Sequence, residues 1–235
     1  MSTKLLAEFF GTMILILLGD GVVAAVVLNK SKAQNAGWMV IASGWAMAVM
    51  VPAFIFGAIS GAHFNPALTF ALAIIGKFPW AEVPGYVIAQ ILGAMAGATL
   101  VWLAYLDHWK ATDDKAGKLA VFCTGPAIRN YSSNFITEVI GTFVLVFVIL
   151  GIGNVKAADG IPTFVVGGLI LALGLSLGGP TGYAINPARD LGPRIMHALL
   201  PIAGKGGSDW AYSWIPVLAP VVGGVMAALV WVAVF

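Results

Sequence analysis

Six apolar stretches, at residues 5–28, 38–59, 83–105, 135–152, 163–177 and 212–234, alternate with shorter polar connections. A transmembrane helix needs about 20 predominantly apolar residues, so the pattern predicts six membrane spans. Two further helices are predicted in the connections. Before the first stands Ser60-Gly61-Ala62-His63-Phe64-Asn65-Pro66-Ala67-Leu68-Thr69, and before the second Thr181-Gly182-Tyr183-Ala184-Ile185-Asn186-Pro187-Ala188-Arg189-Asp190. Asn is a strong helix N-cap because its side chain satisfies an orphan backbone N–H of the first turn. Pro is favoured at the next position, where no N–H is needed. Asn65 and Asn186 therefore each start a helix. The first runs to a glycine stop at Gly76, about ten residues or roughly 15 Å, half of a bilayer core roughly 30 Å thick. A helix starting in mid-membrane leaves bare backbone before it, which is tolerated only where it lines a cavity or is buried in protein. Two such segments suggest a pore.

The order is span, span, half-span, span, and then the same again. Ala7-Glu8-Phe9-Phe10-Gly11-Thr12 opens the first half and Thr137-Glu138-Val139-Ile140-Gly141-Thr142 opens the second. Each half crosses the membrane an odd number of times, so the second enters from the opposite face. The expected fold is an all-α membrane protein with six transmembrane helices and two re-entrant half-helices in an inverted repeat, which puts a site at the midplane. Residues 1–235 form one domain, its halves at about 1–106 and 134–235 joined by a polar loop, 107–133. Glycine pairs within spans (Gly93 and Gly97, Gly167 and Gly168, Gly223 and Gly224) are read as points of close helix contact.

Composition narrows the functional classes. Of 235 residues 60% are hydrophobic and 9% charged, against about 25% charged in soluble domains. A net charge of +2 does not argue for nucleic acid. Cys123, the single cysteine, forms neither an internal disulfide nor a metal cluster. No separate signal peptide, catalytic constellation, phosphate loop, metal set or cofactor motif is read.

With the paired Asn-Pro-Ala motifs and the repeated Glu-x-x-Gly-Thr, the sequence resembles the aquaporin (major intrinsic protein) family along almost its whole length. Asp190 directly after Asn186-Pro187-Ala188-Arg189, Arg194 four positions later, and Pro216-Val217 resemble its glycerol-facilitator, or aquaglyceroporin, branch. The resemblance implies a four-residue selectivity filter. Trp45 lies twenty residues before Asn65, Gly174 twelve before Asn186, Tyr183 three before it and Arg189 three after. The glycerol branch commonly has Phe where Tyr183 stands. A homotetramer with one pore per protomer is implied, as are a plasma-membrane location and cytoplasmic termini. Charge alone argues the other way: Lys4, Lys77 and Lys156 lie on the side of the termini, and Lys30, Lys32, Lys110, Lys115, Lys118 and Arg129 opposite.

The residue chemistry fits such a filter. An intramembrane arginine must face protein or water, and the Arg189 guanidinium offers five donors to a solute oxygen. Trp45 and Tyr183 present an apolar wall to a CH backbone. Carbonyls of Gly61, Ala62, His63, Phe64, Gly182, Ala184 and Ile185 lack helical partners and accept from solute hydroxyls, while the Asn65 and Asn186 amides donate to solute oxygens. Each half-helix N-terminus adds about half a positive charge, and Arg189 a full one, so cations and protons are held back. The expected activity is passive conduction of glycerol, dihydroxyacetone, water, urea or undissociated lactic acid. An ion pair of Arg189 with Asp190 is the structural alternative for Arg189. Glu8 and Glu138 are costly intramembrane carboxylates whose role, by resemblance, is to brace the carbonyl-bearing loops. His63 supports its loop, Asp20 stands at a water boundary or a pore mouth, and His108 and His197 sit in loops or at an interface. The rivals are a water-preferring pore, a proton-coupled secondary transporter using Glu8 and Glu138, and a membrane-embedded enzyme.

Overall fold

The computed structural model describes residues 2–235, and all regular structure among them is helical. The first half contains α1 (Thr3–Val27), α2 (Trp38–Ser60), the short α3 (Pro66–Ile74) and α4 (Val83–Ala104), the last entered through one 3₁₀ turn. Two small helices follow, α5 (Leu106–Ala111) and α6 (Lys115–Phe122). The second half contains α7 (Tyr131–Ile152), α8 (Ile161–Leu177), α9 (Pro187–Leu199) and α10 (Trp214–Val234). Five of these helices are long and apolar enough to cross a membrane. The sixth span, α8, has 17 residues, the lower end of the spanning range at about 26 Å.

The two halves pack alike. α1 lies against α4 as α7 lies against α10, and each short helix crosses to the other half, α3 onto α10 and α9 onto α4. Two glycines allow the close approaches. A Cβ at Gly93 would run into the carbonyl oxygen of Phe9, and one at Gly223 into that of Val139, the residues that follow Glu8 and Glu138. Gly97 and Gly224 also meet neighbouring backbone, and Gly167 meets Met50. Gly168 does not: nothing lies within 4 Å of its Cβ position, so it faces open space rather than a helix.

Leu6, Phe10, Met47, Phe54, Ile88 and Leu218 lie exposed on the spans, as lipid-facing side chains of a membrane protein do. Polar side chains go inward instead: Glu8, Asp20, Gln90, Glu138, Asp190 and Arg194 are buried. The connection expected as a polar loop contains α5 and α6. Asp114 caps α6 by accepting from the Ala116 N–H at 2.9 Å, and a buried Lys118 on α6 donates to the carbonyl of Ala203. Their six and eight residues leave no hydropathy signature. His197 is neither in a loop nor at a surface. It is fully buried on α9, its Nδ1 2.9 Å from Ser208 Oγ. His108 sits on α5 against the carbonyl of Asn29.

Candidate pore and selectivity filter

Asn65 and Asn186 cap α3 and α9 from extended backbone. The Asn65 side-chain oxygen accepts from Ala67 N–H at 2.9 Å, and that of Asn186 from Ala188 and Arg189 N–H at 3.0 and 3.2 Å. Pro66 and Pro187 follow as first helical residues. The helices have 9 and 13 residues, about 14 and 20 Å, so neither crosses a bilayer core. Their N-termini meet. Asn65 Nδ2 donates to the carbonyl of Ile185 and Asn186 Nδ2 to that of Phe64, both at 2.8 Å. One amide hydrogen of each asparagine is thus held by the opposite loop, and the other makes no hydrogen bond to a described residue. Ala67 and Ala188, next in each motif, are fully buried.

The segments before the caps have an unusual backbone. Gly61, Ala62 and Phe64 have φ of 84°, 49° and 47°, and Gly182, Tyr183 and Ile185 have 81°, 39° and 44°. Four of these are not glycine, and a left-handed non-glycine residue costs of order 1–3 kcal/mol. Two carboxylates offset that strain. Glu8 accepts from Ser60 Oγ (2.7 Å), His63 N–H (3.0 Å), Phe64 N–H (2.8 Å) and Gln90 Nε2 (2.8 Å). Glu138 accepts from Thr181 Oγ1 (2.6 Å), Ala184 N–H (2.9 Å) and Ile185 N–H (2.9 Å). With these N–H groups turned to the carboxylates, the carbonyls of the same trans peptides, those of Ala62, His63, Tyr183 and Ala184, point away from them. The Phe64 and Ile185 carbonyls, expected from the sequence to lack partners, instead accept from Asn186 and Asn65 Nδ2. The rest of the Glu-x-x-Gly-Thr repeat serves the same contact. Gly11 and Gly141 leave room for the side chains of Phe64 and Ile185. Thr12 and Thr142 hydroxyls bond back to the Glu8 and Glu138 carbonyls at 2.7 and 2.9 Å. His63 Nδ1 lies 3.1 Å from Thr69 Oγ1, which ties the loop to α3.

A cavity of about 220 Å³ passes between these segments. Its lining includes Trp45, Tyr183 and Arg189, the two capping residues Asn65 and Asn186, and Val166. The Arg189 guanidinium carbon sits 4.1 Å from the centre of the Trp45 ring. Its NH1 donates to Asp20 Oδ1 (3.3 Å) and to the carbonyl of Phe122 (3.1 Å). Asp190 is not its partner. That carboxylate is taken by Arg194 at 2.8 and 3.0 Å and by the N–H and hydroxyl of Thr124. Asp20 is at neither a water boundary nor an open mouth: it is fully buried behind Arg189. Gly174 does not line the cavity. A Cβ there would lie 2.8 Å from Tyr183 Oη, so the phenol fills the space that glycine vacates. Trp38 closes this corner, donating to the Gly174 carbonyl at 2.8 Å and meeting Tyr183 edge-on.

The sequence-family model for Major intrinsic protein matches residues 1–231. The chain belongs to the major intrinsic protein family. It is 62% identical to a probable glycerol uptake facilitator protein of Thermotoga maritima, over 95% of each chain. It is 58% identical to glycerol uptake facilitator protein 3 of Lactiplantibacillus plantarum, over 98% of this chain and 96% of the other. The crystal structure of the aquaglyceroporin from Plasmodium falciparum superposes with a TM-score of 0.89 at 31% identity, covering 99% of this chain and 96% of that one.

Within this major intrinsic protein, several residues that complete the site were not found from sequence. Ser60 and Thr181 had a readable signal, since each is a hydroxyl residue just before the glycine of its loop. Gln90, Trp38, Thr124 and the Phe122 carbonyl had none. They reach the site from distant segments and have no counterpart in the other half.

Proposed function

We propose that this protein is a passive channel for glycerol and similarly small neutral solutes, and for water, that holds back protons and ions. The observation that carries the reading is the filter. NH1 of Arg189 is bonded to protein, whereas Nε and NH2 make no hydrogen bond to another described residue, and Arg189 and Tyr183 both line the cavity. A donor edge facing an aromatic wall suits a molecule with hydroxyls along one side and CH groups along the other. The names of the relatives from Thermotoga maritima and Lactiplantibacillus plantarum support glycerol as the solute.

In this reading Trp45, Gly174, Tyr183 and Arg189 set selectivity, Gly174 by admitting the Tyr183 phenol. The Asn65 and Asn186 amides and the loop carbonyls then exchange hydrogen bonds with the solute. Two helix N-termini, each about half a positive charge, oppose cations at the centre. Glu8 and Glu138 brace the loops rather than relay protons, because every near neighbour of their oxygens is a donor holding a fixed carboxylate. The halves 1–106 and 134–235 act as one conducting unit with no chemical conversion of the solute. A homotetramer in the plasma membrane with cytoplasmic termini fits the exposed apolar faces and the family. Proteoliposomes challenged with glycerol, dihydroxyacetone, urea and, across pH, lactic acid test the reading. Fast re-swelling with glycerol is expected, and lactic acid entry only where the acid is undissociated. Water exchange with no glycerol entry would refute it.

A further inference from the structure

The two halves of the chain carry charge unequally. Twelve residues after Glu8 stands Asp20, whereas twelve after Glu138 stands Leu150; three after Asn186 stands Arg189, whereas three after Asn65 stands Leu68. Both departures from the repeat meet at one place. Asp20 is 0% exposed, and its only hydrogen bond among the described residues is the one its Oδ1 accepts from Arg189 NH1 at 3.3 Å; its Oδ2 has no partner. No capping, loop or helix contact accounts for this carboxylate. Arg189, for its part, has no other free counter-charge, because Asp190 is saturated by Arg194 and Thr124. A buried ion without a partner is strongly disfavoured, so each of these two residues makes the other admissible.

The geometry also fixes direction. Asp20 and the Phe122 carbonyl hold one edge of the guanidinium, and the Trp45 ring lies against its face at 4.1 Å. A planar fork held at one edge and one face has its remaining donors fixed in direction, and Arg189 lines the cavity. We propose that Asp20 is a positioning residue for the filter: it is the counter-charge that keeps Arg189 against Trp45 and directs Nε and NH2 at the passing solute. The pair is also electrically neutral, so the filter offers a polyol hydrogen-bond donors without a net charge. The barrier to cations then rests on the two helix N-termini rather than on the full charge that the sequence alone assigned to Arg189.

The inference rests on the filter reading above, and one set of variants separates the two. Asp20→Asn keeps shape and an acceptor oxygen but removes the charge. Glycerol and water permeabilities are measured in proteoliposomes for wild type, Asp20→Asn, Arg189→Val and the double variant. A loosened Arg189 loses preorganisation, so glycerol permeability in Asp20→Asn should fall about fivefold with water within about twofold. Asp20→Asn should add no further change in the Arg189→Val background. Damage to folding alone would lower both fluxes by the same factor, and that result would overturn the proposal, as would an equal effect of Asp20→Asn with and without Arg189. If Arg189→Val itself leaves the glycerol-to-water ratio at the wild-type value, the filter reading fails, and the proposal with it. Should Asp20→Asn not assemble, recovery of assembly in the double variant would support the pair, and failure of both would refute it.

Discussion

Glu138 shows how one side chain sets the shape of a loop. Its oxygens take two backbone N–H groups and the Thr181 hydroxyl. A carboxamide in its place keeps one good acceptor and turns an NH₂ toward donors. Each buried N–H left unpaired costs about 1–3 kcal/mol, on top of the strain already present at Tyr183 and Ile185. Glu138→Gln should therefore lower the thermal unfolding midpoint in detergent and reduce glycerol and water fluxes together. Gly174 makes a narrower prediction. With Tyr183 Oη 2.8 Å from where a Cβ would stand, Gly174→Ala forces the phenol toward the lumen. Overpacking of this kind adds a barrier of about 1–2 kcal/mol, or roughly tenfold, which should fall on glycerol more than on water. Stopped-flow permeabilities of the variant give that ratio. At this scale the sequence was legible where a residue type is forced. Asn, Pro and Gly are dictated by the backbone they cap or permit, and the two motifs identified their helices. It was illegible for Tyr183, whose phenol folds back over Gly174, and for Asp20, whose partner lies 169 positions away.

Helices were legible to within a few residues, and the misses have local causes. α7 starts at Tyr131 rather than near 135 because Asn130 caps it, accepting from the Ser133 N–H, and the polar first turn hides its helicity from hydropathy. The small α5 and α6 are too short and too polar for any apolar-span signal. Close packing between spans is a property of particular glycines rather than of glycine content. Gly223→Val would drive a side chain into the Val139 carbonyl and part α7 from α10, so assembled protein should be lost. Gly168→Ala enters open space on α8 and should leave assembly intact, with stability unchanged or raised by up to about 1 kcal/mol. Size-exclusion profiles and melting curves of the two variants, side by side, check this contrast.

The molecule as a whole combines a symmetric frame with an asymmetric cluster around Arg189, the proposed filter. The frame repeats: two capped half-helices, two bracing carboxylates and two glycine-mediated helix pairs meet around a shared cavity. That part could be read from the sequence because each feature occurs twice. The proposed filter occurs once, on the side of Arg189, and draws on Asp20, Trp38, Trp45 and Phe122 from other segments. Among the described residues no carboxylate lines the cavity, and Glu8 and Glu138 are each held by fixed donors, which supports downhill movement. The direct test is the equilibration of labelled glycerol into proteoliposomes, followed to its end point with and without an imposed proton gradient. The predicted result is rapid entry that stops at equal concentrations inside and out, with rate and end point unaltered by the gradient or by a protonophore. Accumulation above the external concentration that a protonophore abolishes would contradict a passive channel and make the buried glutamates part of a proton-coupled transporter.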